Sequence, residues 1–230
     1  MEKKEKFETL TKMISMAGLQ INEVVAYWQE TGQLKKSKDL SSITVLPAKK
    51  FVSPETICAG MFMYEDGLIF PEIIKGNQIT SVVGYVGKRE GLSVCLKEKK
   101  LRWTSGRNVR VGSKFSGKEA TRLIVEDSLR KGWRADAAQY CFEYAEDGVK
   151  AGEAFLASKK ELEALYQNKK YINNALGMLH AVLMDKKSYL SSSDCYCYNI
   201  YVKDFEDGSW RHIHKYDSND YVRPVLSFTL

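Results

Sequence analysis

The residues whose types and spacing best suit chemistry lie near the C-terminus, where two cysteines and two histidines form close pairs. Cys195 and Cys197 are separated by one residue, and so are His212 and His214. Thiolate and imidazole groups in two such pairs are typical zinc ligands. The residues between the pairs predict a β-hairpin, so its geometry decides whether four such ligands can meet.

The predicted hairpin keeps the two pairs apart. With Asp207-Gly208 as a two-residue turn, Glu206 pairs with Ser209, and His214 then faces Tyr201. At about 3.3 Å per residue, the cysteines lie roughly 13 Å or more along the ribbon from His214. Zinc bonds are about 2.0–2.3 Å long, so we predict neither a metal nor a cofactor here. The same register pairs His212 with Lys203 and Cys197 with Ser218.

The same hairpin suits binding better than catalysis. One face carries Ile200, Val202 and Ile213, which are natural core residues, and Lys203 joins the rings on the other face. Tyr and Trp offer large rigid contact areas, and Asn and His add adaptable hydrogen bonds. The alternative is that several rings pack under a loop. The candidate ligand-binding residues are Asp194, Tyr196, Tyr198, Asn199, Tyr201, Trp210, His212, His214, Tyr216, Asp217 and Asn219.

Composition limits the partners and the compartment. The net charge of +6 comes from Lys and Arg interspersed with Asp and Glu, which disfavours nucleic acid as a partner. Five scattered cysteines do not form a disulfide framework. We see neither a secretory signal nor a membrane-spanning run. These features predict a cytoplasmic or virion-associated protein that does not bind membranes.

The N-terminal 40 residues read as a helical segment with an apolar heptad seam. Two interpretations remain open: an oligomerising coiled coil, or a helix docked on its own domain. The seam residues are Phe7, Leu10, Ile14, Ala17, Ile21, Val24 and Trp28.

A polar linker precedes the second predicted domain, residues 43–230. Short β-like runs with an Asp66-Gly67 turn come first, then a helical stretch over residues 117–147, in which Cys141 reads as a core residue. Residues 155–158 read as a turn before a helix that Ser158 and Glu161 begin with a capping box. The strands 194–205 and 209–217 then form the C-terminal hairpin.

Three blocks near the C-terminus carry a family resemblance. They read AGEAFLASKKELEALYQN (151–168), SYLSSSDCYCYNIYVKDFEDGSW (188–210) and YVRPVLSF (221–228). Together they resemble the DUF1566, or Lcl C-terminal-like, family, although Phe155 and Ala157 replace a usual Trp and Pro. In the second block, the spacing from the strand to Asp207-Gly208 is also one residue longer than is usual in the family, which suggests a β-bulge.

The resemblance implies an α+β, C-type-lectin-like fold and a non-catalytic binding function. Related modules occur in bacterial and phage adhesins and as variable proteins of diversity-generating retroelements, whose variable window would fall at residues 192–221 here. The implied ligand is a protein or a glycan. The alternative is an oxidoreductase similar to formylglycine-generating enzymes, using Cys195 and Cys197. Calcium-loop motifs of EPN or WND type are absent from the sequence.

We expect self-association through the heptad seam, because multivalency strengthens weak single-site binding. Light scattering should give an oligomer mass for the full chain and a monomer mass for a shortened chain that begins at Leu40. Monomers in both cases at high micromolar concentration would leave only the docked-helix interpretation.

Overall fold

The structure is a computed structural model that describes residues 54–105, 116–196 and 198–230. Within these ranges a short 3-10 turn, Pro54–Thr56, precedes four α-helices and eleven strands. The helices are α1 (Gly117–Lys131), α2 (Asp136–Phe142), α3 (Lys159–Gln167) and α4 (Lys169–Met178). The strands are β1 (Phe62–Tyr64), β2 (Ile69–Phe70), β3 (Ile79–Val86), β4 (Glu90–Cys95), β5 (Lys99–Leu101), β6 (Phe155–Leu156), β7 (Ser188–Cys195), β8 (Asn199–Asp204), β9 (Trp210–His214), β10 (Asp220–Val222) and β11 (Pro224–Thr229). The predicted helical segment 1–40 lies outside the described residues.

The strands form two sheets. The first has the order β2-β1-β3-β4-β11-β6, and all its pairings are antiparallel. The second has the order β5-β10-β7-β8-β9, in which only β10 and β7 run parallel. The described chain is therefore mixed helix and sheet, with strands predominating. None of its helices is both long and apolar enough to cross a lipid bilayer.

Apolar side chains on both sides of the second sheet form its cores. Ile200 and Val202 of β8 pack with Ile124 of α1 in one cluster. On the other side, Tyr189 of β7 packs with Leu165 of α3, among other residues, in a larger cluster that includes the first sheet. Burial of these side chains holds α3 against the sheet.

Cys141 is fully buried in the α1–α2 cluster, as predicted. Burial raises the pKa of its thiol. Cys141 therefore stays protonated, which suits a small core residue better than a nucleophile.

Several predicted boundaries are confirmed and others are wrong. The capping box is present, since Ser158 accepts from Glu161 N–H and the Glu161 carboxylate accepts from Ser158 N–H. The predicted helical stretch 117–147 is two helices, because Gly132 ends α1 in a left-handed conformation with φ 68°. α2 in turn ends at Phe142. Residues 155–156, predicted as part of a turn, form strand β6 beside β11.

A buried ion pair joins two of the places where the chain passes between the sheets. Glu98 lies between β4 and β5, and Arg223 lies between β10 and β11. Arg223 donates from Nη2 to Glu98 Oε2 at 2.6 Å and from Nε to the same oxygen at 3.1 Å. Its other donors reach the carbonyls of Cys95, Leu96 and Val182. The Glu98 carboxylate also accepts from Lys187 and Tyr189.

We expect Arg223→Met to lower the free energy of unfolding by about 3 kcal/mol, because it leaves the buried Glu98 carboxylate without its main partner. Urea denaturation measures this loss. Arg211→Met is the matched control, since Arg211 is 46% exposed in its pair with Asp220 and should cost less than about 1 kcal/mol. Equal losses of unfolding free energy in the two variants would show that the buried Glu98–Arg223 pair stabilises the fold no more than the exposed pair does.

Candidate functional site

The β8–β9 hairpin positions the predicted ring residues. Tyr201 lies opposite His212, Asn199 opposite His214, and Lys203 opposite Trp210. The predicted register, with His212 opposite Lys203 and a two-residue turn, is therefore wrong by two positions. A shift of two keeps each side chain on its face. Ile200 and Val202 accordingly face the core, as predicted.

A longer turn explains the shift. The Asp204 and Asp207 carboxylates accept from the backbone N–H groups of Glu206 and Ser209, which closes the turn locally. Phe205 meanwhile points into the core and is fully buried. Because its side chain is buried in the core, Phe205 does not take part in the predicted pairing with the second strand of the hairpin.

The strand predicted over residues 194–205 is also wrong, because it is two strands. β7 ends at Cys195 and β8 begins at Asn199. Tyr196 takes a left-handed conformation with φ 63° at the turn between them. The turn carries none of the usual Gly or Pro signals, and its tyrosines favour strands, so no sequence signal predicted it.

The rings lie on one side of the hairpin in two groups of three, each group centred on one ring. The ring of His214 lies 6.1 Å from that of Tyr198 and 5.3 Å from that of Tyr216, measured between centroids. The Tyr201 ring lies 5.1 Å from His212 and 6.0 Å from Trp210. We call these six residues the hairpin patch: Tyr198, Tyr201, Trp210, His212, His214 and Tyr216.

The other predicted site residues divide by exposure. Tyr196, at 84% exposed, sits on the turn beside the patch, and Asp217 and Asn219 are exposed just after Tyr216, at the same end. Asn199 is half-buried between Cys195 and His214 in the sheet. Asp194 does not join them.

Asp194 instead forms a buried ion pair. It lies opposite Ile200, which faces the core, and its carboxylate is 2.7 Å from the ammonium of Lys215. The Lys215 side chain is fully buried over the Trp103 ring. This pair supports the base of the hairpin patch rather than presenting a polar group to a ligand.

Cys195 is buried beside the patch. A hydrogen bond with its thiol raises the pKa of Tyr201. Cys197 lies outside the described residues, so the structure does not place the pair. Among the described residues, no group of three or more His, Cys, Asp or Glu is arranged to hold a metal ion.

Helix α3 adds a wall that sequence reasoning missed. Lys159, Lys160 and Glu163 face Tyr201 and Trp210 across an open cleft of about 430 Å³. The Lys159 ammonium lies 3.8 Å from the centroid of the Tyr201 ring. The capping box predicts where α3 begins, but no sequence signal places its first turn beside the hairpin.

Glu163 fixes the floor of this cleft. Its Oε2 accepts from Lys203 Nζ at 2.8 Å and from the Trp210 indole N–H at 2.9 Å. The hydrogen bond from Lys203 holds the pKa of Glu163 below its usual value. Lys203, predicted on the ring face, is on that face but only 2% exposed, because α3 covers it.

Gly208 allows α3 to approach the hairpin this closely. Its carbonyl accepts a second hydrogen bond from Lys203 Nζ, at 2.6 Å. It has φ 80°, and a Cβ there would lie 2.4 Å from the hydroxyl oxygen of Tyr166 on α3. Only glycine suits both the turn and this contact.

Comparison with known proteins shows a shared fold. No family model and no curated protein matches the chain. A solved structure of a fimbrial protein from Bacteroides ovatus matches with a TM-score of 0.61 and 15% identity, over 75% of this chain and 49% of that protein. The chain thus spans about half the length of that protein. At this identity the likeness concerns the fold alone.

We expect Glu163→Gln to destabilise the fold by about 1 kcal/mol at pH 7, because the buried Lys203 loses its charged partner. The pKa of Glu163 is below its ordinary value of 4.5 in the folded state. The stability that the charged Glu163 carboxylate provides is therefore complete above about pH 4.5 and is lost as the pH falls further. The difference in unfolding free energy between the variant and the wild type should become smaller in acid. Denaturation at pH 7 and at pH 3 measures it.

Glu206→Gln is the control, since Glu206 is exposed on the hairpin turn. A Glu163→Gln protein as stable as this control at pH 7 would contradict the anchoring role of Glu163.

Proposed function

We propose that this chain is a non-catalytic recognition module that presents the hairpin patch to a protein or glycan ligand. The observation that carries the proposal is a set of six rings in two contacting groups of three, reaching 59% exposure at Tyr198, on a hairpin whose opposite face is core. Exposed aromatic groups of this kind mark interaction sites more often than chance.

Contacts from below also hold part of the patch in place, which favours binding. Ile200 and Val202 anchor β8 from the core side, and Glu163 fixes the Trp210 indole. Rings held in place lose little conformational entropy when a ligand binds. Little rearrangement is then needed for contact.

At a finer level, we assign the module to the C-type-lectin-like class of the DUF1566 type, in a bacterial or phage adhesin. The three sequence blocks support this assignment, and the fold likeness to a fimbrial protein is compatible with it. A retroelement-diversified variable protein is the narrower form of the proposal, since all six patch residues lie within 192–221. Its signature is a neighbouring reverse transcriptase gene with a near-copy of that window.

The competing proposal is an oxidoreductase similar to formylglycine-generating enzymes that uses Cys195 and Cys197. Cys195 is only 4% exposed, which limits access to it. Three residues of the hairpin patch, Tyr198, His212 and Tyr216, are by contrast exposed to solvent. We therefore favour recognition.

We expect Trp210→Ala or Tyr216→Ala to weaken binding by about 2 kcal/mol, or roughly 30-fold, if either is an anchor. Ligands from glycan and bacterial surface-protein arrays would be titrated by calorimetry. The Cys195→Ser/Cys197→Ser protein should bind as the wild type does. Tyr171→Ala is the control, because Tyr171 is an aromatic residue 56% exposed on α4, outside the patch.

The enzyme proposal predicts the reverse pattern. The recognition proposal would be overturned if the double cysteine variant lost an oxidase activity that the wild type has, while Trp210→Ala and Tyr216→Ala bound ligand normally.

A further inference from the structure

We infer that the cleft between α3 and the hairpin binds an anionic saccharide, a pyranose unit that carries a carboxylate or a sulfate group. This inference rests on the proposed recognition function and specifies the ligand chemistry of one end of the hairpin patch. Among the described residues, five from α3, β8 and β9 line the cleft: Lys159, Lys160, Glu163, Tyr201 and Trp210.

The charge of the cleft favours an anion. Glu163 is the one carboxylate among the described residues that line it, and the buried Lys203 already neutralises it at 2.8 Å. Lys159 is half-buried and Lys160 is exposed. Within the described residues, neither ammonium has a carboxylate partner within ion-pair distance. Two positive charges therefore remain for a ligand that enters the cleft.

The Lys159 ammonium is held where an anion would meet it. It lies over the Tyr201 ring at 3.8 Å and 5.3 Å from the Trp210 centroid. This cation–π contact partly orders a side chain that would otherwise sample many rotamers. The ordering reduces the entropy cost of pairing Lys159 with a ligand carboxylate or sulfate.

The two rings supply the apolar part of the site. The Trp210 and Tyr201 rings meet nearly at right angles, with an interplanar angle of 84°. Because the indole N–H is already bonded to Glu163, Trp210 offers a ligand its ring surface rather than its donor. A pyranose has an apolar C–H face that packs on a ring, and hydroxyl groups that can bond the nearby Glu163 and Lys160. The volume, about 430 Å³, lies within the range of small-ligand sites.

The cleft suits a saccharide better than an acidic peptide. Peptides that bind by strand addition use main-chain groups at a sheet edge. At the start of α3, the N–H groups of Ser158 and Glu161 are taken by the capping box, and that of Lys159 is bonded to Ser193. The cleft lining therefore offers side-chain charges and ring faces, which match a sugar unit.

Titration calorimetry of the full chain with four oligomers of matched length tests the inference. The probes are a hyaluronan hexasaccharide with carboxylates, a κ-carrageenan hexasaccharide with sulfates, neutral cellohexaose, and hexaglutamate. We expect at least one anionic saccharide to bind about tenfold more tightly than cellohexaose and hexaglutamate. The arm that binds identifies the acidic group.

Two charge variants separate a local site from general attraction. Lys159→Ala/Lys160→Ala should weaken the anionic saccharide about tenfold and reduce the salt dependence of binding. Lys75→Ala/Lys150→Ala removes the same charge at two exposed positions away from the cleft and should change affinity less than about twofold. Equal losses in both variants would overturn the inference.

The remaining outcomes also decide. Tightest binding of hexaglutamate would assign the cleft to acidic peptides, and wild type that binds none of the four probes would remove the saccharide site. In either case, a patch-dependent ligand from the arrays would leave the recognition function standing. If the Trp210→Ala and Tyr216→Ala proteins bind every ligand as tightly as the wild type does, the recognition function and this inference are both overturned.

Discussion

The buried pair of Glu98 and Arg223 is the interaction on which the rest of the structure depends. The chain crosses from the six-stranded sheet to the five-stranded sheet between β4 and β5 and crosses back between β10 and β11, and one member of the pair lies at each of these crossings. The side chains are only 4% and 1% exposed, so either charge alone would carry a large desolvation cost. Together they hold both crossings at one point. The Tyr189 hydroxyl bonds the same carboxylate and adds β7, the central strand of the second sheet.

Two further buried cations apply the same principle beneath the hairpin patch. Lys203 is shared between Glu163 and the Gly208 carbonyl, and Lys215 pairs with Asp194. Each links strands that carry the rings to a neighbouring element. Breaking such a pair is more costly than forming it is favourable, so these contacts specify one arrangement more than they add stability. The exposed rings therefore stand on a base with a single geometry, which is what a preorganised binding surface requires.

Local signals in the sequence predicted local structure well. The Ser158–Glu161 capping box, the Asp66-Gly67 turn and the core role of Cys141 all appear in the structure. Alternation along β8 and β9 assigned the ring and core faces correctly even though the register was wrong by two, because side chains repeat every two residues. The missed features depend on tertiary packing. Burial of Phe205, the left-handed Tyr196 and the approach of α3 over Lys203 arise from contacts between distant segments, which periodicity does not encode.

The division of labour along the hairpin has an evolutionary consequence. At Tyr198, His212 and Tyr216, side chains project from the fold without a hydrogen bond to the buried cations among the described residues, so they can vary with little effect on folding. Trp210 is different, because it shares a single carboxylate oxygen with Lys203. Substitutions at Trp210, Lys203 and Glu163 should be epistatic, since the effect of each depends on the others. Some residues of the hairpin patch can thus vary independently and alter ligand specificity, whereas Trp210 can change only together with Lys203 and Glu163.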